Sequence, residues 1–210
     1  MRRDQRTRAA RAVGRDPRAE LLDAALRVFA RRGLRAAGVD EIAEEAGYSK
    51  GALYWHFAGK EALLLALIEE RVDAPTRELV AAAAGAPPER DMSLVVADAL
   101  LRRLAEDRDA LLLAREYWSL ALRDGELRER YIARQADLHA ALSAALEARA
   151  RHLGAPITKA GARAAARLAL GAVDALVADA LLDPGSVTRA AISESFAIIA
   201  AGVGARSPRR

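Results

Sequence analysis

The chain has 210 residues and a formal net charge of +4, with 52% hydrophobic but only 4% aromatic residues. Because the apolar residues are mainly Ala, Leu and Val, the composition favours close-packed helices over strands, in one or two domains. There is no cysteine, which excludes disulfides, thiolate metal sites and cysteine nucleophiles. No apolar stretch approaches the roughly 18 to 20 residues of a membrane span, and no secretory signal is visible. A soluble, cytoplasmic protein without a membrane partner is predicted.

The positive charge is concentrated near the N-terminus. Residues 1–60 contain 13 Lys and Arg against 8 Asp and Glu, whereas the remaining 150 residues contain 20 against 21. This asymmetry favours an anionic partner, and nucleic acid is favoured over a membrane surface because the basic residues have no bulky apolar face beside them. A solvated basic tail is the alternative explanation of the charge alone.

In chain order, a basic arm precedes the first predicted helix. Residues 1–15 contain six arginines and few apolar residues, which predicts an arm without regular structure. Asp16 and Pro17 have the chemistry of a helix start, and Gly33 is predicted to end this helix. Its apolar face is formed by Leu21, Leu22, Ala25, Leu26 and Phe29.

The rest of the chain is also predicted to be helical, so the fold class is all-α. Two short helices are expected at 39–46 and 50–57, and another begins after Gly59. A break is predicted near Asp73, Ala74 and Pro75, and a loop at 85–88. The periodicity then predicts longer helices at about 91–106, 109–123, 125–152, 158–182 and 186–203.

Residues 39–57, VDEIAEEAGYSKGALYWHF, have the pattern of a helix-turn-helix. Two short helices joined by a glycine turn cannot bury their own apolar faces, so the preceding helix must close a small three-helix core. Gly47 suits the turn conformation, and Ser49 can cap the second short helix. The inward-facing residues of the pair are predicted to be Ile42, Ala43, Ala46, Leu53 and Phe57.

The outward surface of the second short helix combines small residues with hydrogen-bonding groups. Small residues allow close approach to DNA, and the polar groups can meet phosphates or base edges. These residues are Lys50, Gly51, Ala52, Tyr54, Trp55 and His56. In the alternative interpretation Tyr54 and Trp55 cover the three-helix core and Lys50 is only solvated, but the joint arrangement favours DNA reading.

Residues 17–65, which include AALRVFARRG and IAEEAGYSKGALYWHFAGKEALL, resemble the DNA-binding domain of the TetR family. The resemblance implies a homodimeric, ligand-responsive transcriptional regulator whose second short helix enters the DNA major groove. It implies that the DNA-contacting residues are Ser49, Lys50, Gly51, Ala52, Tyr54, His56 and Lys60. Many members carry Thr or Ser just before the first helix of the motif, whereas this chain has Gly38 and Val39 and lacks that hydroxyl.

Nothing in the sequence indicates a reaction. The three histidines, His56, His139 and His152, lack the spacing of a helical metal site, and no nucleophile elbow, dinucleotide-binding glycine motif or phosphate loop occurs. Catalysis by scattered acids on long helices is the weaker alternative, because such residues are usually solvated or paired. The protein is predicted not to be an enzyme, with no cofactor and no metal site.

The C-terminal part is predicted to dimerise and to bind an effector. The resemblance implies a homodimer through helices 158–182 and 186–203, and two-fold symmetry requires a roughly palindromic operator in double-stranded DNA. The alternative use of their apolar faces is an intramolecular core. A small-molecule effector is expected among the middle helices, with candidate ligand-binding residues Arg115, Tyr117, Trp118, Gln135 and His139. Alternatively, Tyr117 and Trp118 are core residues, and Arg115 forms a solvated pair with Glu116.

Three segments are therefore predicted. They are a disordered basic arm at 1–15, a helix-turn-helix DNA-binding domain at 16–62, and a helical ligand-binding and dimerisation domain at 63–205. The predicted function is that of a repressor that a small molecule releases from a palindromic operator. The alternative is a helical module that binds small molecules or proteins and does not read DNA.

Overall fold

The computed structural model of the chain describes residues 16–84, 87 and 89–204, and the regular elements in these ranges are all helices. The predicted all-α fold, with an N-terminal helix-turn-helix domain and a helical C-terminal domain, is confirmed. The chain divides into two compact units between Glu69 and Glu70. The basic arm at 1–15 lies outside the described residues, and the roles given to the predicted domains stay predictions.

The described part of the N-terminal unit contains α1 (Pro17–Ala36), α2 (Val39–Ala46), α3 (Lys50–His56) and α4 (Lys60–Ile68). The Asp16 side chain caps α1 by accepting a hydrogen bond from the Arg18 N–H at 2.9 Å. Gly33 was predicted to end this helix, and its backbone is non-helical, with φ 76° and ψ 160°, at a kink that separates the long helical segment from a short one at 34–36. Because glycine adopts this backbone at little cost, the chain returns to helix and continues to Ala36.

The core of this unit lies where α1 packs on α2 and α4, and where α2 packs on α3. Its buried side chains include Leu21, Leu22, Ala25, Phe29, Ile42, Ala43, Leu53, Phe57, Leu63 and Leu67. Two predicted core residues, Leu26 and Ala46, are only partly buried. The buried face of α1 instead passes through Ala24 and Val28, so it is turned slightly from the face that the sequence predicts.

A π-helical turn, Glu69–Asp73, follows α4, and the C-terminal unit continues as α5 (Ala74–Ala84), α6 (Met92–Glu106), α7 (Arg108–Ala121), α8 (Gly125–His152), α9 (Lys159–Leu182) and α10 (Arg189–Gly204). The bounds of α6 to α10 lie within three residues of the predicted ones. The α8 helix packs against α5, α7 and α9, and α10 packs on α6 and α9.

The predicted break at Asp73–Pro75 is wrong, because the hydrogen bond lost at the proline is replaced. Pro75 has no N–H for the carbonyl of Arg71, four residues earlier. That carbonyl accepts a hydrogen bond from Arg103 Nη2 at 2.9 Å. Thr76 Oγ1 also donates to the Val72 carbonyl at 2.6 Å. The helix therefore runs through the proline by way of the π-helical turn.

The apolar faces of the last two helices are only partly used inside the chain. Ile192 is buried in an apolar cluster shared by α6, α7, α9 and α10, and Phe196 packs against it, as the intramolecular alternative predicts. On other faces Leu168, Leu182 and Ile198 are exposed. No helix in the described ranges combines the length and apolar character needed to span a membrane.

Candidate nucleic-acid interface and effector cavity

The turn between α2 and α3 is held by backbone hydrogen bonds and one side-chain cap. Gly47 has φ 76° and ψ 22°, a left-handed conformation that favours glycine. The Gly47 N–H donates to the Glu44 carbonyl at 3.0 Å, and the Tyr48 N–H donates to the Ala43 carbonyl at 2.9 Å. Ser49 Oγ then accepts a hydrogen bond from the Ala52 N–H at 3.1 Å, which confirms the predicted cap of α3.

The α3 helix presents one buried and one exposed face. Leu53 is 0% exposed and Phe57 lies in the core, whereas Tyr54 is 47% and Trp55 is 81% exposed. Trp55 therefore does not cover the three-helix core, and its ring contacts His56 edge-on with centroids 4.5 Å apart. Lys50 and Gly51 are also exposed, and Ala52 and His56 are partly exposed.

The two lysines of the predicted interface have protein partners. Lys50 Nζ lies 2.7 Å from Asp40 Oδ1, and the hydrogen bond to this carboxylate raises the pKa of Lys50. Lys60 Nζ donates to the Arg35 carbonyl at 3.1 Å and to the Ala37 carbonyl at 3.0 Å. Lys60 thus caps the end of α1 as well as being a candidate phosphate contact.

A set of ion pairs joins α1 to α2. Glu45 accepts from Arg27 at 2.8 Å and from Arg31 at 2.7 Å, and Glu41 accepts from Arg32 at 3.3 Å. The hydrogen bonds from the two guanidinium groups lower the pKa of Glu45. These arginines therefore stabilise the packing of α1 on α2, a role that was not predicted from the sequence.

The departure from the TetR pattern at Gly38 is visible in the structure. Gly38 is the N-cap of α2 without a side-chain hydrogen bond, and its carbonyl accepts from the Ile42 N–H at 3.2 Å. The corner of α2 thus offers backbone groups and no hydroxyl to a phosphate.

The C-terminal unit contains a cavity of about 230 Å³ that is partly open to solvent. Its lining comes from the π-helical turn and from α5 to α9, and comprises Val72, Asp73, Thr76, Arg103, Leu111, Ala114, Arg115, Trp118, Tyr131, Arg134, Gln135, Leu138, Leu170, Val173, Asp174 and Val177. Arg115, Trp118 and Gln135, three of the candidate ligand-binding residues, are among them. The cavity thus brings these three together.

The other two candidates lie outside the lining. Tyr117 is 0% exposed, and its hydroxyl donates to the Leu127 carbonyl at 3.3 Å. This placement agrees with the alternative in which Tyr117 is a core residue. His139 Nδ1 lies 2.7 Å from the Gln135 carbonyl on the same helix. The structure therefore gives Tyr117 and His139 local partners and does not place them against the cavity.

A buried ion pair forms one wall of the cavity. Asp73 Oδ1 lies 2.6 Å from Arg134 Nη1, with side-chain exposures of 2% and 17%. The Arg134 guanidinium also lies 4.8 Å from the centre of the Tyr131 ring, a cation–π distance. The amino-acid sequence does not reveal this pair, because its two residues are 61 positions apart. Across the described ranges no group of three metal-binding side chains is found.

Residues 21–67 match the family model of bacterial regulatory proteins, tetR family. These 47 of the 210 residues are the part of the chain that is similar to this family in sequence. Over 56 residues it is 54% identical to the HTH-type transcriptional activator FasR of Mycolicibacterium smegmatis, a match that covers 27% of this chain and 26% of FasR. This and two other curated relatives are matched over 26%, 45% and 28% of their own lengths, less than half in each case.

The structural likeness extends beyond the matched residues. A TetR-family member from Streptomyces coelicolor A3 is similar with a TM-score of 0.69 at 25% identity, over 88% of this chain and 98% of that one. SmeT, the repressor of the Stenotrophomonas maltophilia multidrug efflux pump SmeDEF, is similar with a TM-score of 0.63 at 25% identity, over 88% and 89%. The helices outside residues 21–67 thus have counterparts in TetR-family structures.

Proposed function

We propose that the protein is a homodimeric transcriptional repressor that reads a palindromic operator through α3 and is released from it by a small molecule. The observation that carries this proposal is the exposed face of α3. Leu53 and Phe57 anchor the helix, while Tyr54 and Trp55 point away from the core and remain largely exposed. Exposed aromatic side chains on a braced helix-turn-helix suit a surface that covers another molecule.

Each predicted DNA contact has a chemical role on this surface. Gly51 and Ala52 allow the backbone to approach base edges, and Tyr54 supplies a hydroxyl and a ring. Ser49 Oγ accepts from the helix and keeps its own proton to donate to a phosphate. Lys60 uses two of its three N–H bonds on carbonyl groups, which leaves one for a phosphate. Lys50 and His56 add groups that can donate to DNA.

The proposed dimer forms through α9 and α10. Their exposed side chains Leu168, Leu182 and Ile198 provide apolar surface that a second copy would cover. Two-fold symmetry then presents two α3 helices to two half-sites about 34 to 36 Å apart, or a multiple of this, which requires a palindromic operator. The protein would act in the cytoplasm, where DNA lies, and would not be an enzyme.

The proposed effector binds in the cavity of the C-terminal unit, and the protein would act as a repressor, as SmeT does. Release from DNA requires that the effector prefers the conformation that does not bind the operator. A typical coupling of about 1 to 3 kcal/mol weakens DNA binding roughly 5- to 150-fold, and DNA must weaken effector binding by the same factor.

Fluorescence anisotropy with duplex DNA from the region upstream of the protein's own gene tests the DNA-reading assignment. The double variant Tyr54→Ala, Trp55→Ala is expected to bind at least about tenfold more weakly, because base and phosphate contacts are lost. Leu153→Ala is the matched control, since Leu153 is 47% exposed, like Tyr54, but lies at the end of α8.

Unchanged affinity of the double variant at fixed salt contradicts the role of α3 as the reading helix. If the wild-type protein binds the upstream duplexes no more tightly than random DNA, the alternative function is favoured. That alternative is a helical module that binds small molecules or proteins. Size-exclusion chromatography with light scattering tests the dimer independently of the DNA.

A further inference from the structure

The cavity of the C-terminal unit has an excess of basic side chains. Arg103, Arg115 and Arg134 line it, against the two carboxylates of Asp73 and Asp174. Asp73 is almost fully buried and already paired with Arg134, whereas Asp174 lies on an exposed part of α9. The lining therefore has three guanidinium groups and two carboxylates, an excess of one positive charge, and the charge of Asp107 also acts on Arg103.

The hydrogen bonds of the other two arginines lead to neutral oxygens. Arg103 donates to Thr76 Oγ1 at 2.7 Å and to the Arg71 carbonyl, and burial lowers the pKa of its guanidinium. Arg115 donates to the backbone carbonyl of Asp174. The Nε groups of Arg103 and Arg134 are buried and have no acceptor within the described residues. Because these two Nε groups are inaccessible to a ligand, an anion would be attracted by the guanidinium charges, since the hydrogen bonds of Arg103 and Arg115 lead to neutral oxygens.

Tyr131 adds a further donor beside these arginines. Its hydroxyl accepts a hydrogen bond from Gln135 Nε2 at 2.8 Å, which leaves the phenol proton available to a ligand. Burial raises the pKa of Tyr131, so the phenol stays protonated at neutral pH. The remaining lining is largely apolar, with the Trp118 ring 45% exposed. The lining therefore fits a ligand that has an apolar body and one anionic group.

We propose that this cavity binds a small apolar carboxylate, held by Arg115 and Arg134, and that the ligand competes with Asp73 for Arg134. The inference rests on the proposed effector cavity and adds the chemical class of its ligand. A volume of about 230 Å³ is below the roughly 300 to 1,000 Å³ of drug-sized pockets, which restricts the ligand to one or two rings.

The proposed competition with Asp73 predicts that removal of the Asp73 charge strengthens the binding of an anionic ligand. Two carboxylates close to one buried guanidinium repel each other, so the ligand has to overcome the charge of Asp73. Asp73→Asn removes that charge and keeps an oxygen that can accept from Arg134. The variant is therefore expected to bind a carboxylate ligand more tightly, by about tenfold or more. A purely structural role of Asp73 would weaken binding instead.

Isothermal titration calorimetry of the full chain with 2-naphthoate tests the proposal, with neutral 2-naphthamide and a cationic naphthylmethylammonium as matched probes. Naphthoate is expected to bind roughly tenfold or more tightly than either. Arg115→Gln should weaken naphthoate binding by a similar factor. Arg130→Gln is the control, because Arg130 lies one turn before Arg134 on α8 but pairs with Glu126 at the surface.

Equal or tighter binding of the amide or the ammonium overturns the anionic class, and so does an absence of naphthoate binding. Weaker naphthoate binding by folded Asp73→Asn overturns the competition. If circular dichroism shows that Asp73→Asn does not fold, the naphthoate affinities of Arg115→Gln and Arg130→Gln are compared instead. Arg115→Gln is expected to fold, because Arg115 is partly exposed. DNA binding is measured separately by anisotropy. Naphthoate selectivity without DNA binding would refute the proposed function and leave the anion site standing.

Discussion

Replacing Lys60 with Met is expected to destabilise the N-terminal unit as well as to weaken DNA binding. The Lys60 ammonium donates to two carbonyl oxygens at the end of α1, at 3.1 and 3.0 Å. Hydrogen bonds from charged groups contribute roughly 1.5 to 3 kcal/mol in mutational series. Met keeps the apolar stem, and water can replace part of the lost bonding at this partly exposed site, so the free energy of unfolding should fall by about 1 to 2 kcal/mol.

Urea denaturation followed by far-UV circular dichroism measures this loss. Lys159→Met is the control, because Lys159 is exposed in the first turn of α9, where a cation gains nothing from the helix dipole. The salt dependence of operator binding measures the phosphate contact, and its slope should become shallower by about 1. If Lys60→Met and the control have the same free energy of unfolding, Lys60 does not stabilise the end of α1. An unchanged slope refutes the phosphate contact alone.

Three further predictions concern the same unit. Leu53→Ala should lower the free energy of unfolding by about 2 to 5 kcal/mol because Leu53 is fully buried, whereas Trp55→Ala should change it by at most about 0.5 kcal/mol; urea denaturation compares them. Arg27 and Arg31 hold the pKa of Glu45 below its ordinary 4.5, so their contribution is present above that pH and lost as the pH falls through the folded-state value. Glu45→Gln should therefore show a shallower loss of stability on acidification, and an identical pH profile contradicts this. Deleting residues 1–14 should make the salt slope of DNA binding shallower while the melting temperature hardly changes; an unchanged slope means that the arm does not touch phosphates.

The helix-turn-helix could be predicted because its determinants are local. Gly47 provides the left-handed turn and Ser49 the cap, and each acts within five residues of its own position. Leu53 and Phe57 identify the buried face of α3 by their spacing alone. The helix ends follow for the same reason, since capping residues and glycines act on the adjacent turn.

The ion pair and the hydrogen bonds beside the cavity could not be predicted, because the residues that form them are distant in sequence. The Asp73–Arg134 pair and the bond from Arg103 to the Arg71 carbonyl each join two segments. From the sequence alone, Pro75 predicts a helix break because it has no N–H to donate. Nothing in the sequence indicates that the Arg103 guanidinium donates to the Arg71 carbonyl in its place. Tyr117 illustrates the same limit, because it is only two positions from Arg115 but does not line the cavity.

The net positive charge of the N-terminal region comes from residues 1–15, whereas its helix-turn-helix lies in residues 16–60. Residues 16–60 contain seven basic and seven acidic residues, whereas residues 1–15 contain six arginines and one aspartate. Within residues 16–60, Glu45 also pairs with Arg27 and Arg31, and Asp40 pairs with Lys50. The general attraction to DNA should therefore come mainly from the arm, and the choice of sequence from α3. It follows that removal of the arm should weaken binding to operator DNA and to random DNA by a similar factor. Tyr54→Ala, by contrast, should reduce the ratio of the affinity for operator DNA to the affinity for random DNA.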